Sequence, residues 1–234
     1  MSVKAPLHIL SLLIEGLPAK QRKQLLESCE PVDLVFGNVL HEANRPIHHV
    51  YFPLSGFISL VTTLDGHQPL EMGLIGNEGM LGATLALGIG LAPMRAVVQG
   101  SGSALRISSQ LFKQELLSSP ALLRSLKRYL YVVLAQLSQS AACTHFHAIE
   151  PRLARWLLMT HDRAHADHFH LTHEFLADML GVRRSGVSIA AAALQARGLI
   201  SYSRGEINIL NRAGLERAAC ECYAALQADY RAQF

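Results

Sequence analysis

Between Gly181 and Gly205 the chain carries Arg183, Arg184, Arg197 and Arg204 and not one acidic residue. Guanidinium groups bond phosphate oxygens and base edges in fixed, often paired geometry, so such a run suits a polyanion. The whole chain conceals this, because its formal charge is only +3 and its charged fraction 17%. Two other groups of side chains have ligand chemistry. His161, His165, His168, His170 and His173 crowd one stretch, with His145 and His147 just before it. His161 and His165 sit one helical turn apart and have metal-ligand spacing. No carboxylate or cysteine is placed to complete that set, so the reading is an exposed histidine-rich linker that holds no metal. The cysteines, Cys29, Cys143, Cys220 and Cys222, form no CxxC pair. Cys220 and Cys222, two apart on one expected helix, should point in different directions and share no metal. Gly88-Ile89-Gly90 lacks the third glycine of a dinucleotide loop, and no GxSxG, P-loop or paired-carboxylate motif appears, so an enzyme is not expected.

The elements that would position the arginines are two short helices. Thr172 has the hydroxyl to cap a first helix burying Leu176, Ala177 and Leu180. Gly181 ends it, and a second helix buries Val187, Ala190, Ala191 and Leu194. A helix-turn-helix needs a small residue where its helices cross, here Ala177. It needs a glycine for the turn, Gly181, and a filler of the angle between the helices, Val187. The same helical wheel turns Ser185, Ser188, Ile189, Ala192 and Ala196 outward, with Arg184 on the flank. Short side chains let a helix enter the major groove, where serines bond bases or phosphates and Ile189 meets a thymine methyl. LISYS and EINIL around Arg204-Gly205 then read as a β-hairpin, or wing, whose tip reaches the DNA backbone. The competing reading is an ordinary pair of bundle helices with solvated arginines.

Upstream, Val32 to Ile107 is a series of short apolar runs bounded by turn residues, which suggests an antiparallel barrel or sandwich, with Asp65-Gly66 the clearest hairpin signal. Ser118-Ser119-Pro120 starts a helix. Along it Leu123, Leu126, Leu130, Val133, Leu137 and Ser140 recur at spacings of three and four, as in a coiled-coil dimer seam. From Ala148 the chain reads as helical except for Leu199 to Leu210, and a last helix spans about Arg212 to Tyr230. The apolar run Leu7 to Ile14, cut by Glu15, reads as a docking helix rather than a signal peptide. The uncharged run Gly79 to Met94 is too short and glycine-rich to span a membrane. Scattered cysteines in a chain of this size fit a reducing, cytoplasmic compartment.

With these residues in place the chain resembles the Crp/Fnr superfamily of bacterial transcription regulators over nearly all its length. FGNVLHEANRPIHHVYFPLSGFISLVTTLDGHQPLEMGLIGNEGMLG, with Gly37, Gly56, Gly66, Gly76 and Gly82, resembles the family's cyclic-nucleotide-binding β-roll. The seam helix resembles its dimerisation helix, and LTHEFLADMLGVRRSGVSIAAAALQARGLI with SRGEINIL its winged helix-turn-helix. The resemblance implies an α+β fold in three parts: an antiparallel, cupin-like jelly roll over 1–117, a dimerisation helix over 118–147 and a winged helix-turn-helix over 148–234. It also implies a homodimer on a pseudo-palindromic double-stranded DNA operator, contact with RNA polymerase in an activator, and DNA contacts from Thr172, Arg183, Arg184, Ser185, Ser188, Ile189 and Arg204. An effector site would lie at Gly82, Ala83, Arg95 and Ala96. There the chain departs from members that bind cyclic AMP. Pro93-Met94-Arg95-Ala96 keeps their arginine, but Ala83 follows Gly82 where the ribose-binding glutamate belongs, which argues against cyclic AMP. Only Cys29 lies near the amino terminus, which argues against an iron-sulfur cluster, and no cofactor is expected. The alternative function is a metal or small-molecule sensor whose helix-turn-helix contacts protein.

Overall fold

The computed structural model describes residues 11–164 and 166–234. Two short helices come first, α1 (Leu12–Glu15) and α2 (Ala19–Glu27). Leu13 and Ile14 are buried in the neighbouring core, so this part of the apolar run docks; Leu7 to Leu10 lie outside the described residues.

Seven strands follow: β1 (Glu30–Leu34), β2 (Val39–His41), β3 (His49–Pro53), β4 (Phe57–Thr62), β5 (Leu70–Ile75), β6 (Arg95–Gly100) and β7 (Gly102–Ser108). They form two antiparallel sheets, ordered β1-β7-β3 and β2-β6-β4-β5. One core joins them, with Leu34, Tyr51 and Ala104 from the first sheet against Ile58, Leu60, Ile75, Ala96 and Val98 from the second. Sharing one apolar layer between two curved sheets makes the roll. Asp65-Gly66 does lie in the β4–β5 connection, with Gly66 at φ +74°, but as part of the longer loop 63–69.

After α3 (Ser109–Ser118) the longest helix, α4 (Pro120–Phe146), begins as its sequence dictates. The Ser119 hydroxyl accepts from the Leu122 amide at 3.3 Å, and Pro120 occupies the first turn, where its missing N–H costs nothing. Its inward face is Leu122, Leu126, Tyr129, Val132, Gln136, Ser140 and Cys143. Two residues assigned to the seam therefore belong elsewhere: Leu126 and Ser140 are buried within their own chain. Leu123, Leu130, Val133 and Leu137 are half-buried beside a strip that exposes Tyr131 and Leu134. The two faces are neighbours on the helix, and spacing alone could not separate them.

The remaining elements are α5 (Ile149–Ala164), β8 (His168–His170), α6 (His173–Leu180), α7 (Arg184–Ala196), β9 (Ile200–Ser203), β10 (Glu206–Ile209), α8 (Arg212–Ala218) and α9 (Cys222–Gln233). Two expectations are corrected. The wing has three strands, β8-β10-β9, because His168 to His170 pair with Asn208 to Glu206. The last helix is two helices, broken where Ala219 turns extended at ψ 153°.

Helix α5 is buried nearly all round, including Arg152, Leu153, Ala154, Trp156, Leu157, Leu158, Met159, Thr160 and Arg163. It fastens the carboxy-terminal helices to the roll. The Trp156 indole N–H donates to Glu71 Oε1 at 2.8 Å while the Ser59 hydroxyl donates to Glu71 Oε2 at 2.5 Å. Arg163 pairs with Glu78, Nη2 to Oε1 at 2.7 Å. Burial pushes the Glu71 carboxyl up from its usual 4.5 to about 7, and the donors from Ser59 and Trp156 offset only part of that rise. The fold thus keeps a proton that the unfolded chain releases, and stability falls as pH rises from about 4.5 to about 7, by at most about 3 kcal/mol. Glu71→Gln keeps the shape and hydrogen-bonding groups but cannot ionise. Thermal melts across that pH range should show a flatter dependence for the variant, and equal slopes would refute the assignment.

Candidate nucleic-acid interface

The turn between α6 and α7 is built from backbone hydrogen bonds. Thr172 Oγ1 accepts from the Phe175 amide at 3.1 Å and caps α6. At its other end Gly181 takes the left-handed conformation, φ +63° and ψ 41°. The Val182 amide reaches Ala177 O at 2.9 Å and the Gly181 amide reaches Asp178 O at 3.2 Å, the paired bonds of a Schellman cap. Ala177, Leu180, Val187, Ala190, Ala191 and Leu194 are buried in one cluster with α5. The two helices are thus fixed by close packing of small and branched side chains, as their spacing predicts.

The opposite face of α7 is open. Arg183, Arg184, Ser185, Ile189, Ala192 and Ala196 are exposed or half-buried, and Ile189 is 73% exposed, which for a large aliphatic side chain costs solvation. Ser188 differs from expectation. It is half-buried, and its hydroxyl lies 2.9 Å from His173 Nδ1 and donates to Arg184 O at 3.1 Å. Its first role is to tie α7 to the start of α6. Of the four arginines, Arg197 is committed to Glu150 at 2.7 Å. Among the described residues no carboxylate pairs with Arg183, Arg184 or Arg204.

The wing ends in a two-residue turn with both Arg204 (φ +52°) and Gly205 (φ +86°) left-handed, as the tightest hairpins require. The turn faces the start of α7. Thr172, His173, Arg184, Tyr202, Ser203, Arg204 and Gly205 enclose a cleft of about 330 Å³. Tyr202 donates to Leu171 O at 2.7 Å and its ring meets His173 edge-on at 4.4 Å, which holds the wing against α6. The chain thus brings Thr172, Arg184 and Arg204 to one place, while Arg183, Ser185 and Ile189 lie along the open helix face.

In the β-roll, the four residues expected around an effector do not converge. Gly82 and Ala83 line a cavity of about 60 Å³ together with Leu60, Ile75, Met80 and Met94. Arg95 is not among the lining residues. Strand β6 turns Ala96 into the sheet core and Arg95 outward, where it is exposed and lies 3.4 Å from Glu42. The residues that face the cavity from this segment are Pro93 and Met94.

The histidines are engaged rather than free. His161 bonds Asp167 at 2.7 Å and also contacts Arg212; His168 and His170 meet Glu206 at 2.8 and 2.5 Å across the wing. His165 lies outside the described residues. The cysteines contradict expectation outright. The break before α9 turns Cys220 and Cys222 to the same point, where they meet Cys143 and His147 from the end of α4. The signal available in the sequence was the spacing Cys143-x-x-x-His147, one helical turn apart, together with Cys220-x-Cys222.

Residues 151–218 match the family model described as a Crp-like helix-turn-helix domain. No curated protein matches the chain. Among solved structures it is similar to FixK2 of Bradyrhizobium japonicum, with TM-score 0.67 and 16% identity over 82% of this chain and 98% of that one. A Crp/Fnr-family transcriptional regulator of Thermus thermophilus has TM-score 0.67 and 22% identity over 81% and 98%. The regulator CLP of Xanthomonas campestris, described as responsive to c-di-GMP, has TM-score 0.65 and 19% identity over 82% and 99%. At such identities the likeness establishes the fold, a β-roll joined by a long helix to a winged helix-turn-helix. Residues 151–218 are thus a Crp-like helix-turn-helix domain, and the chain as a whole shares its fold with these structures.

Gly181 tests the turn. An added β-carbon would lie 2.8 Å from Leu70 Cδ1 as well as straining the left-handed backbone. Gly181→Ala should cost about 1–2 kcal/mol, read as a melting temperature lowered by several degrees; an unchanged melt would show that the turn relaxes freely.

Proposed function

We propose that the protein is a DNA-binding transcription regulator that acts in the cytoplasm as a homodimer, each α7 entering the major groove at one half of a pseudo-palindromic operator. The observation that carries this reading is the cleft between Arg184 and Arg204 beside a helix face of short side chains. Arg183 and Arg184 start α7, at the positive end of its dipole and without an acidic partner among the described residues, a placement that is unfavourable until an anion arrives. A backbone phosphate supplies that anion at Arg183, while Arg184 reaches a base edge rich in acceptors and Ser185 and Ile189 face the bases beside it. Ser188 reads DNA only by giving up its bond to His173. Half-buried Leu123, Leu130, Val133 and Leu137 with exposed Leu134 and Tyr131 supply the self-association surface on α4. Two α7 helices would then meet half-sites about 34–36 Å apart. In an activator, a further surface would contact RNA polymerase.

The roll's effector, on this reading, is not a cyclic nucleotide. A cavity of about 60 Å³ whose mainly apolar lining includes His41, Thr84 and Tyr129 is far below the roughly 300 Å³ of ordinary ligand pockets. Gating by the roll would involve a small apolar molecule, or a ligand that first opens the sheet. Titration calorimetry should show no saturable heat with cyclic AMP, and binding abolished by Arg95→Ala would overturn this.

Binding to DNA fragments at several salt concentrations tests the main proposal. Affinity should fall steeply with salt as phosphate contacts release counterions, whereas a protein-contact module shows no DNA affinity to lose. Arg184→Ala should weaken binding to the selected operator about tenfold or more and spare random DNA. Arg204→Ala should weaken both alike and lower the salt slope by about one. Equal losses on specific and random DNA for both variants would sink this division of labour.

A further inference from the structure

Cys143, Cys220 and Cys222 form a buried cluster of their own, separate from the three apolar cores. They come from opposite ends of the carboxy-terminal domain, Cys143 from the last turns of α4 and the other two from the α8–α9 break. With His147 they place four ligand atoms all within 4.8 Å of one another. Cys143 Sγ lies 3.6 Å from Cys220 Sγ, and Cys222 Sγ lies 3.4 Å from His147 Nδ1. Four ligands around one zinc ion, with Zn–S of about 2.3 Å and Zn–N of about 2.0 Å, sit about 3.8 Å apart as sulfur pairs and about 3.5 Å apart as sulfur and nitrogen. The chain therefore presents the edges of a single-ion tetrahedron. A multi-iron cluster would spread its ligands farther.

The surroundings complete the set. His147 Nε2 donates to Glu221 Oε1 at 3.1 Å, so the proton is on Nε2 and the Nδ1 lone pair faces the thiols. A carboxylate behind the imidazole is the usual support of a metal-bound histidine. Gln139 Nε2 donates to Cys222 Sγ at 3.0 Å, a bond that favours a thiolate. Arg152 and Arg155 lie close enough for their charges to act on Cys143. Three thiolates and one divalent cation leave a net charge of −1, which these guanidinium groups oppose.

We infer that Cys143, His147, Cys220 and Cys222 bind one zinc ion in a closed Cys3His site. Each thiol gives its proton to solvent as it ligates, the histidine binds neutral, and no oxidant or reductant takes part. All three sulfurs are buried and the fourth position is the imidazole, which leaves no open coordination site for catalysis. The ion would hold the residues on either side of 148–219 at one point. It would thus clamp both ends of the helix-turn-helix domain to the foot of the long helix.

The test uses full-length protein purified without an affinity tag. Elemental analysis should find one zinc per chain retained through gel filtration. Chelated protein titrated with cobalt should develop thiolate charge-transfer and tetrahedral ligand-field bands that zinc abolishes. Chelation should lower the melting temperature, with recovery on adding zinc but not magnesium. Cys222→Ser and His147→Ala should lose most of the metal, while Cys29→Ser, remote from the site, retains it. If a ligand variant fails to fold, the cobalt titration of chelated wild-type protein decides alone. Only traces of zinc with no tetrahedral cobalt spectrum would overturn the assignment, as would iron with inorganic sulfide. None of these readouts involves DNA, so the site stands or falls separately from the proposed regulator.

Discussion

The packing of α5 against the β-roll is the constraint on which the carboxy-terminal half depends. Trp156 is buried and its indole N–H ends on Glu71, a β5 carboxyl that also accepts from Ser59; two turns further on, Arg163 ends on Glu78. Ser59, Trp156 and Arg163 are buried and must find partners, which the half-buried Glu71 and Glu78 supply, so the contact is specific in a way that apolar packing alone is not. The opposite side of α5 carries α6, α7 and α8. The orientation of α7 is therefore set by which groups on the roll α5 can satisfy. The Leu70 side chain at the Gly181 turn places the roll and the helix-turn-helix in direct contact as well.

Such an arrangement gives the roll a physical means of acting on α7. A change in β5 would move Glu71 and Leu70 together, the first bonded to Trp156 of α5 and the second packed at the Gly181 turn. Coupling of this kind needs a discrete element with two arrangements rather than a continuous deformation, and a strand edge bearing a hydrogen-bonded carboxyl is suited to that role. The cavity of the roll is lined in part by α4 residues Tyr129, Leu130 and Val133, and two of those belong to the half-buried strip beside the seam. Occupation of the cavity would thus be felt along α4 as well as at β5.

Local features were legible in the sequence because local chemistry decides them. Ser119-Pro120 caps α4, Thr172 caps α6, Gly181 takes the left-handed turn, and Arg204-Gly205 closes the wing. What failed depended on contacts distant in sequence. Leu126 and Leu130 have equal claim to a seam by spacing; only the roll packed against α4 decides that Leu126 faces inward. The side of Arg95 follows from the register of β6, which pairs Ala96 with Leu60 and Arg95 with Val61. A one-residue difference in strand register exchanges the faces. The strand His168–His170 alternates polar and apolar, but three residues are too few to announce a strand, and it exists because β10 offers it an edge.

The α8–α9 break is the sharpest case. Arg212 to Tyr230 contains no proline, and its one glycine, Gly214, lies inside α8, so helix propensity favours continuity through Ala218-Ala219-Cys220. On an unbroken helix Cys220 and Cys222 would stand about 200° apart, and that was the ground for separating them. In the fold, the Cys220 amide meets Pro151 O at 3.4 Å at the start of α5, and the Tyr223 amide restarts the helix on Cys220 O at 3.1 Å. The kink turns Cys220 and Cys222 toward Cys143 and His147, so that three thiols and an imidazole face one point at the junction of α4 and α5.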